Sequence, residues 1–289
     1  MRFSHKQLRR KANGFTLLEL VVVMAILIAL AAVLIPLIPE YLGKANQSAA
    51  AANMSELEKF ISVFRATYSR QPNHFDSLLT EGGAAVSGLV PGGPSNPGGG
   101  ALERIVLTSG QNSRLSREGI NRVYDIENSV LTNATFHATL NPYVSSQPYG
   151  SGRALATGGA VMALKKQADG TYNQTGFDGA GGSIMPGVLL NTNHQYAVFG
   201  IGSRCNLIGA QGLVKEAPVF GQHKAQNTPS TSYQRYAAVY DIGIPDTDTF
   251  KYNAKFVGVI AIQGRRIFTS GDIVGTYFDN QFDIDQPPK

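Results

Sequence analysis

The chain of 289 residues contains one cysteine and no tryptophan. Because Cys205 has no second cysteine to pair with, an intramolecular disulfide is excluded, and an exported domain would depend on its core or on bound ions. We expect Cys205 to be a buried structural thiol. The sequence also lacks a Gly-x-Ser-x-Gly elbow and a Gly-x-x-x-x-Gly-Lys-Ser/Thr phosphate loop, the motifs of two large enzyme classes.

Residues that commonly bind metals or catalyse reactions are scattered along the chain. No two histidines have the His-x-x-x-His spacing, and none lies beside the cysteine in a pattern suited to a metal. We therefore predict that the protein is not an enzyme and needs no cofactor. Asp241, Asp246 and Asp248 are candidate Ca²⁺ ligands because alternating carboxylates in a loop can hold that ion, although solvated turns explain the same spacing.

The positive charge of the chain lies entirely at its N-terminus. The formal net charge is +5, and the first 14 residues contain five basic residues and no acid, namely Arg2, Lys6, Arg9, Arg10 and Lys11. From Phe15 onward, basic and acidic residues balance, so the body has no electrostatic surface that predicts nucleic-acid binding. A basic N-terminal flank is typical of a chain whose N-terminus stays in the cytoplasm while the rest crosses a membrane.

An apolar segment follows the basic flank. Residues Leu20 to Ile38 contain no charge, and 19 helical residues span roughly the ~30 Å hydrocarbon core of a bilayer. When the segment is extended back to Phe15 it includes one acid, Glu19. A carboxylate inside a membrane costs about 2.5 kcal/mol or more at the bilayer centre, so an acid in this position indicates a function.

The residues around Glu19 form a recognisable motif. The stretch Lys11-Ala-Asn-Gly-Phe-Thr-Leu-Leu-Glu-Leu-Val-Val-Val-Met-Ala-Ile-Leu resembles the class III signal of type IV pilins and type II secretion pseudopilins. That resemblance implies cleavage by a prepilin peptidase between Gly14 and Phe15 and N-methylation of Phe15. Glu19 and Thr16 then occupy positions that the family uses in assembly.

Two other interpretations of the N-terminus remain open. Ala29-Leu30-Ala31 has the A-x-A spacing of a conventional secretory cleavage site, and the apolar segment could also be an uncleaved signal anchor. The three interpretations differ in the first residue of the mature chain, which would be methylated Phe15, Ala32 or Met1.

A long helix is predicted from Phe15 to about Ser69. Past the apolar segment, hydrophobic residues recur mostly every three or four positions, as in an amphipathic helix; they are Leu42, Ala45, Ala49, Ala52, Leu57, Phe60, Ile61, Phe64 and Tyr68. Pro36, Pro39 and Gly43 are expected to interrupt this helix, either as tolerated kinks or, as the resemblance implies, as a segment that unwinds in a filament.

The chain is therefore predicted to have four segments. Residues 1–14 form a cleaved basic leader, and residues 15–70 form the long helix, with 15–38 in the membrane. Residues 71–103 form a Gly/Pro-rich connecting loop, and residues 104–289 form a β-rich periplasmic or extracellular head. The fold class is α+β and pilin-like, with the helix packed on a mainly antiparallel sheet that carries insertions.

Strands in the head are expected where Val, Ile, Phe, Tyr and Thr are enriched. These segments are 104–108, 122–126, 130–140, 154–164, 196–201, 236–244, 256–263 and 267–278. The last two, joined through Gly264-Arg-Arg, are predicted to form an antiparallel hairpin.

The resemblance implies a structural function. The chain would be a pilin or pseudopilin subunit of the bacterial inner membrane, assembled with other subunits by a platform and an ATPase for secretion, adhesion, motility or DNA uptake. Its Glu19 would pair with the N-terminal amine of a neighbouring subunit. The alternative is a membrane-tethered periplasmic binding or adhesive module that uses the same processing signal, and a tethered hydrolase is a third possibility.

Overall fold

The computed structural model describes residues 17–35, 38–80, 82–83, 102–126, 149–166, 170, 172, 190–210, 212–218, 236–245, 252–263 and 266–268. By its internal contacts the chain divides into two units, Met1–Ala45 and Asn46–Lys289, so the boundary lies within a helix.

Two helices occupy the segment in which one long helix was predicted. α1 spans Leu17–Leu34 and α2 spans Ile38–Tyr68. Pro39 lies in the first turn of α2, where the amide hydrogen that proline lacks has no helical acceptor. α2 continues through Gly43, since one helical glycine costs only about 1 kcal/mol relative to alanine; a kink or an unwinding segment at this position stays a prediction. The third predicted helix breaker, Pro36, lies outside the described residues.

The second half of α2 is held in the core of the larger unit. Met54, Leu57, Ile61 and Phe64 are all buried, and their spacing of three and four residues places them on one face of the helix. They belong to the same hydrophobic cluster as three buried aromatic residues of the sheet, Phe75, Phe199 and Tyr240. The predicted packing of the helix on the sheet is therefore present in this unit.

The sheet contains nine strands among the described residues. In chain order they are β1 (Phe75–Thr80), β2 (Leu102–Val106), β3 (Arg122–Ile126), β4 (Tyr149–Ala154), β5 (Ala160–Leu164), β6 (Gln195–Gly200), β7 (Tyr236–Gly243), β8 (Lys255–Gln263) and β9 (Arg266–Phe268), with helix α3 (Ser109–Arg117) after β2. The order across the sheet is β4-β3-β1-β6-β7-β8-β9, and β5 joins β2 to β6. The described strands pair antiparallel except β1 with β3, which confirms a mainly antiparallel sheet.

Both faces of the sheet carry buried apolar side chains. Ala197 and Phe199 of β6 belong to the cluster that contains α2, whereas Tyr196 and Val198 belong to a second cluster. Because successive residues of a strand point to opposite faces, the two clusters lie on opposite sides of the sheet.

The hairpin predicted near the C-terminus is confirmed over the described residues; the rest of the strand predicted over 267–278 lies outside them. β8 pairs antiparallel with β9, with Gln263 opposite Arg266 and Ala261 opposite Phe268. The strand predicted over 154–164 is wrong as a single element, because β4 ends at Ala154 and β5 begins at Ala160. Gly158 lies between them with a φ of +82°, a conformation that favours glycine and ends an extended run. The strand predicted over 130–140 lies outside the described residues.

The loop predicted over 71–103 is wrong at its start. Residues Phe75–Thr80 form β1, an inner strand in which all six residues are buried. Its sequence, Phe-Asp-Ser-Leu-Leu-Thr, lacks strand alternation, and Leu78 has a φ of +61° at an irregular register with β3. Pairing on both sides stabilises this segment, so its local sequence did not indicate a strand.

Asn73, just before β1, connects its own segment to two distant ones. Its backbone N–H donates to Asn206 Oδ1 at 2.7 Å, and its side-chain Nδ2 donates to Asn121 Oδ1 at 2.6 Å. Its own Oδ1 accepts from the N–H groups of Asn121 and Arg122. One carboxamide oxygen therefore satisfies two backbone N–H groups at the start of β3.

Candidate functional site: the N-terminal segment and helix α1

The predicted processing residues Gly14, Phe15 and Thr16 lie outside the described residues. Glu19 is described, and it lies in the first turn of α1 with an exposed side chain. A carboxylate in the first turn of a helix interacts favourably with the positive end of the helix dipole, typically by about 0.3–1 kcal/mol. The structure therefore places the one acid of the apolar segment at the start of its helix.

The side chains of α1 are apolar around the whole helix and largely exposed. The exposed fraction is 81% at Leu17, 48% at Val22 and 55% at Leu30. A helix that is apolar on all sides is normally buried, either in a protein core or in a lipid bilayer. Among the residues that the structure describes, no helix meets the combined length and hydropathy of a membrane span. The span predicted over 15–38 is thus not confirmed.

Comparison with known families identifies the N-terminal segment. Residues 9–35 match the family described as the prokaryotic N-terminal methylation motif. This motif is the class III signal of type IV pilins and pseudopilins, so the resemblance drawn from Gly14, Phe15 and Glu19 is confirmed. The match covers the N-terminal segment alone, and it supports a pilin-like protein of the cell envelope or surface. No curated protein and no solved structure matches the chain.

In the larger unit, Glu118 is a buried acid that joins several elements. Its side chain is 4% exposed and accepts hydrogen bonds from Arg65 Nε and Nη2, each at 3.1 Å. Asn253 Nδ2 also donates to the Glu118 side chain at 3.0 Å. The backbone carbonyl of Glu118 accepts from the N–H of Gln71. Sequence reasoning missed this ion pair because 53 residues separate its members.

A second polar contact links α2 to the sheet. The backbone N–H of Val259, in β8, donates to Glu58 Oε1 at 3.1 Å. The described pairs between β8 and β9 run from Gln263 opposite Arg266 to Ala261 opposite Phe268. A side chain of α2 therefore satisfies a backbone N–H of β8 directly.

The candidate calcium ligand Asp241 lies at the end of β7. Its carboxylate is 2.7 Å from His194 Nδ1 and accepts from the N–H of Gly243 at 2.8 Å. Asp246 and Asp248 lie outside the described residues. Within the described residues, no group of three or more His, Cys, Asp or Glu side chains could hold a metal. Calcium binding stays a prediction.

Cys205 is buried, as predicted. Burial raises the pKa of its thiol from 9.0 to about 12, and the carboxylate of Asp76 acts in the same direction. Because the thiolate is the reactive form, this thiol is inert at neutral pH.

Proposed function

We propose that this protein is a type IV pilin or pseudopilin subunit, processed between Gly14 and Phe15 and assembled into a filament. The observation that carries the proposal is the methylation motif at residues 9–35, which includes the whole of helix α1. The exposed apolar surface of α1 requires an apolar environment, and a bilayer and then a filament would supply it in turn.

Assembly would begin in the inner membrane. The basic leader would hold the N-terminus in the cytoplasm, and the charge-free sequence from Leu20 to Ile38 would cross the bilayer. A prepilin peptidase would remove residues 1–14 and methylate Phe15. The head would then lie in the periplasm, where an assembly platform and its ATPase would extract the subunit.

Glu19 would direct the packing of one subunit against the next. Cleavage leaves an amine on Phe15, four residues before Glu19, near the start of an apolar helix. A buried carboxylate without a partner is strongly destabilising, whereas one paired with an amine is far less so. Subunits would therefore stack with the Glu19 carboxylate beside a neighbour's amine, which fixes their axial position.

The role proposed for the head is structural, without catalysis. The second half of α2 is fixed to the sheet by Met54, Leu57, Ile61 and Phe64. This packing supports the proposal, because a head fixed to its helix follows that helix when subunits assemble. Enzymatic activity and an obligatory cofactor are not part of the proposal.

Isolation of filaments tests this function. We expect sheared or detergent-extracted filaments to contain the chain, and mass spectrometry of its N-terminal peptide to show methylated Phe15. A chain that begins at Met1 or Ala32 would contradict the proposal. A processed chain found in the envelope but absent from every filament fraction would instead support the tethered binding module.

A further inference from the structure

A groove runs along the C-terminal part of α2, beside the start of β8. It has a volume of about 540 Å³ and is lined by Ile61, Ser62, Arg65, Ala66, Ser69, Gln71, Lys255 and Phe256. All these residues belong to the larger unit, Asn46–Lys289. The groove is thus a feature of the head and of the part of α2 fixed to it.

The groove combines an apolar base with polar groups that favour an acidic ligand. Ala66 and Phe256 provide apolar surface, and the buried Ile61 lies beneath them. Lys255 is exposed and has no ion-pair partner among the described residues. Arg65 adds a second cation, already paired with Glu118.

Gln71 supplies an unused hydrogen-bond donor. It lines the groove with 1% of its surface exposed. Tyr240 donates to its Oε1 at 3.4 Å, whereas its Nε2 has no partner within the described part of the chain. A buried donor without an acceptor costs about 1–3 kcal/mol, and a carbonyl or carboxylate in the groove would remove that cost.

The C-terminal segment of the chain has the complementary chemistry. Residues 269–289 contain four aspartates and one lysine, a formal charge of −3. Each other stretch of more than ten residues outside the described ranges has at most one net negative charge. The C-terminal segment also contains apolar residues among its acids, including Ile273, Val274, Tyr277 and Phe278.

The segment begins close enough to reach the groove. β9 ends at Phe268, opposite Ala261 on β8, and Phe256 at the groove is five residues back along the same strand. At about 3.3 Å per residue this distance is roughly 17 Å, which fewer than ten extended residues would span.

We propose that the groove between α2 and β8 binds the acidic C-terminal segment 269–289 of the same chain. Apolar side chains of the segment cover Ala66 and Phe256, a carboxylate pairs with Lys255, and an oxygen acceptor reaches Gln71 Nε2. The segment then fastens the end of α2 to the sheet.

A fluorescent probe in the groove tests this proposal. The full-length chain in detergent carries Ala66→Cys with an environment-sensitive dye, and the buried Cys205 stays unlabelled. We expect blue-shifted emission and protection from iodide in the full-length chain, and loss of both in a chain that ends at Phe268. A dye at Ser116→Cys, an exposed position on α3 outside the groove, should respond equally in both chains.

Adding the missing segment as a peptide completes the test. A synthetic peptide of residues 269–289 should restore protection, and Lys255→Glu should weaken its binding about tenfold or more by charge repulsion. Lys215→Glu, at another exposed site, should leave binding unchanged. Equal emission in the full-length and shortened chains, or a peptide that does not bind, would overturn the proposal. Protection that falls on dilution would assign the groove to the segment of a second copy and would overturn the intramolecular assignment.

Discussion

Arg65, in the last turn of α2, donates two hydrogen bonds of 3.1 Å each to Glu118, the C-terminal cap residue of α3. The Glu118 side chain is buried, whereas that of Arg65 is 53% exposed. Removing the arginine therefore leaves a buried carboxylate, while removing the acid leaves an arginine that water can solvate. The two sides of this ion pair should differ in their contribution to stability.

Arg65→Met is predicted to destabilise the head more than Glu118→Gln. We expect about 2–3 kcal/mol for Arg65→Met, below the range for fully buried pairs because Arg65 is half exposed, and about 1 kcal/mol for Glu118→Gln. Thermal unfolding should show a decrease of about 2–4 °C in Tm per kcal/mol. The double variant should be more stable than Arg65→Met alone, and Lys59→Met on the same helix serves as the control. A double variant less stable than both single variants would contradict the prediction.

Glu19→Leu is predicted to leave processing intact and to prevent correct assembly. The substitution leaves Gly14 and Phe15 unchanged but removes the carboxylate that would pair with a neighbour's amine. Immunoblots should show cleaved chain in the membrane fraction and at least a tenfold loss from filaments, a ratio equivalent to about 1.4 kcal/mol. Glu56→Leu, which removes an exposed acid from α2, should assemble normally. Normal incorporation of Glu19→Leu would rule out the assembly role of Glu19.

Gly243→Ala is predicted to be more destabilising than Gly158→Ala. Both glycines have positive φ angles, +75° and +82°, so alanine is strained at either position. A Cβ on Gly243 would overlap Arg114 Nη1, whereas a Cβ on Gly158 would meet nothing within 4 Å. Displacing the buried Arg114 also breaks its hydrogen bond to the Ile242 carbonyl. Urea unfolding should show an additional loss of about 1–3 kcal/mol for Gly243→Ala; equal losses would contradict the clash.

Stability of the head is predicted to fall at alkaline pH. Burial raises the pKa of Cys205 from 9.0 to about 12 and that of Tyr236 from 10.0 to about 12. Between the unfolded and folded pKa values only the unfolded chain is ionised, so stability is complete below pH 9 and decreases as the pH rises towards 12. Urea unfolding at several pH values measures this decrease. Cys205→Ala should make it shallower between pH 9 and 10, and an unchanged slope would argue against the contribution of the thiol.

The elements that the sequence predicted correctly are those whose signal lies in the spacing of residues close together in the chain. The apolar segment indicated α1 because a charge-free run carries its own signal, and Leu57, Ile61 and Phe64 indicated the buried face of α2 by their helical period. The hairpin of β8 and β9 was predictable for a similar reason, since two strand-forming runs flank a short turn.

The parts that sequence missed depend on partners distant in the chain. β1 is a strand because β3 and β6 pair with it on either side, and its sequence does not alternate. α3 contains few strong helix formers, and it begins where Thr108 and Gln111 form reciprocal hydrogen bonds as a capping box. Thr108 was predicted to end a strand, because a residue that caps a helix also suits a strand.

The contacts of Asn73 affect how the purified protein ages. Slow hydrolysis of its carboxamide would replace the NH₂ group with oxygen, and that oxygen would face Asn121 Oδ1 across a separation that is now 2.6 Å. A donor and an acceptor would become two mutually repelling acceptors, with almost no change in molecular mass. Samples in which this amide has hydrolysed should therefore loosen where residue 73 meets residues 121 and 206.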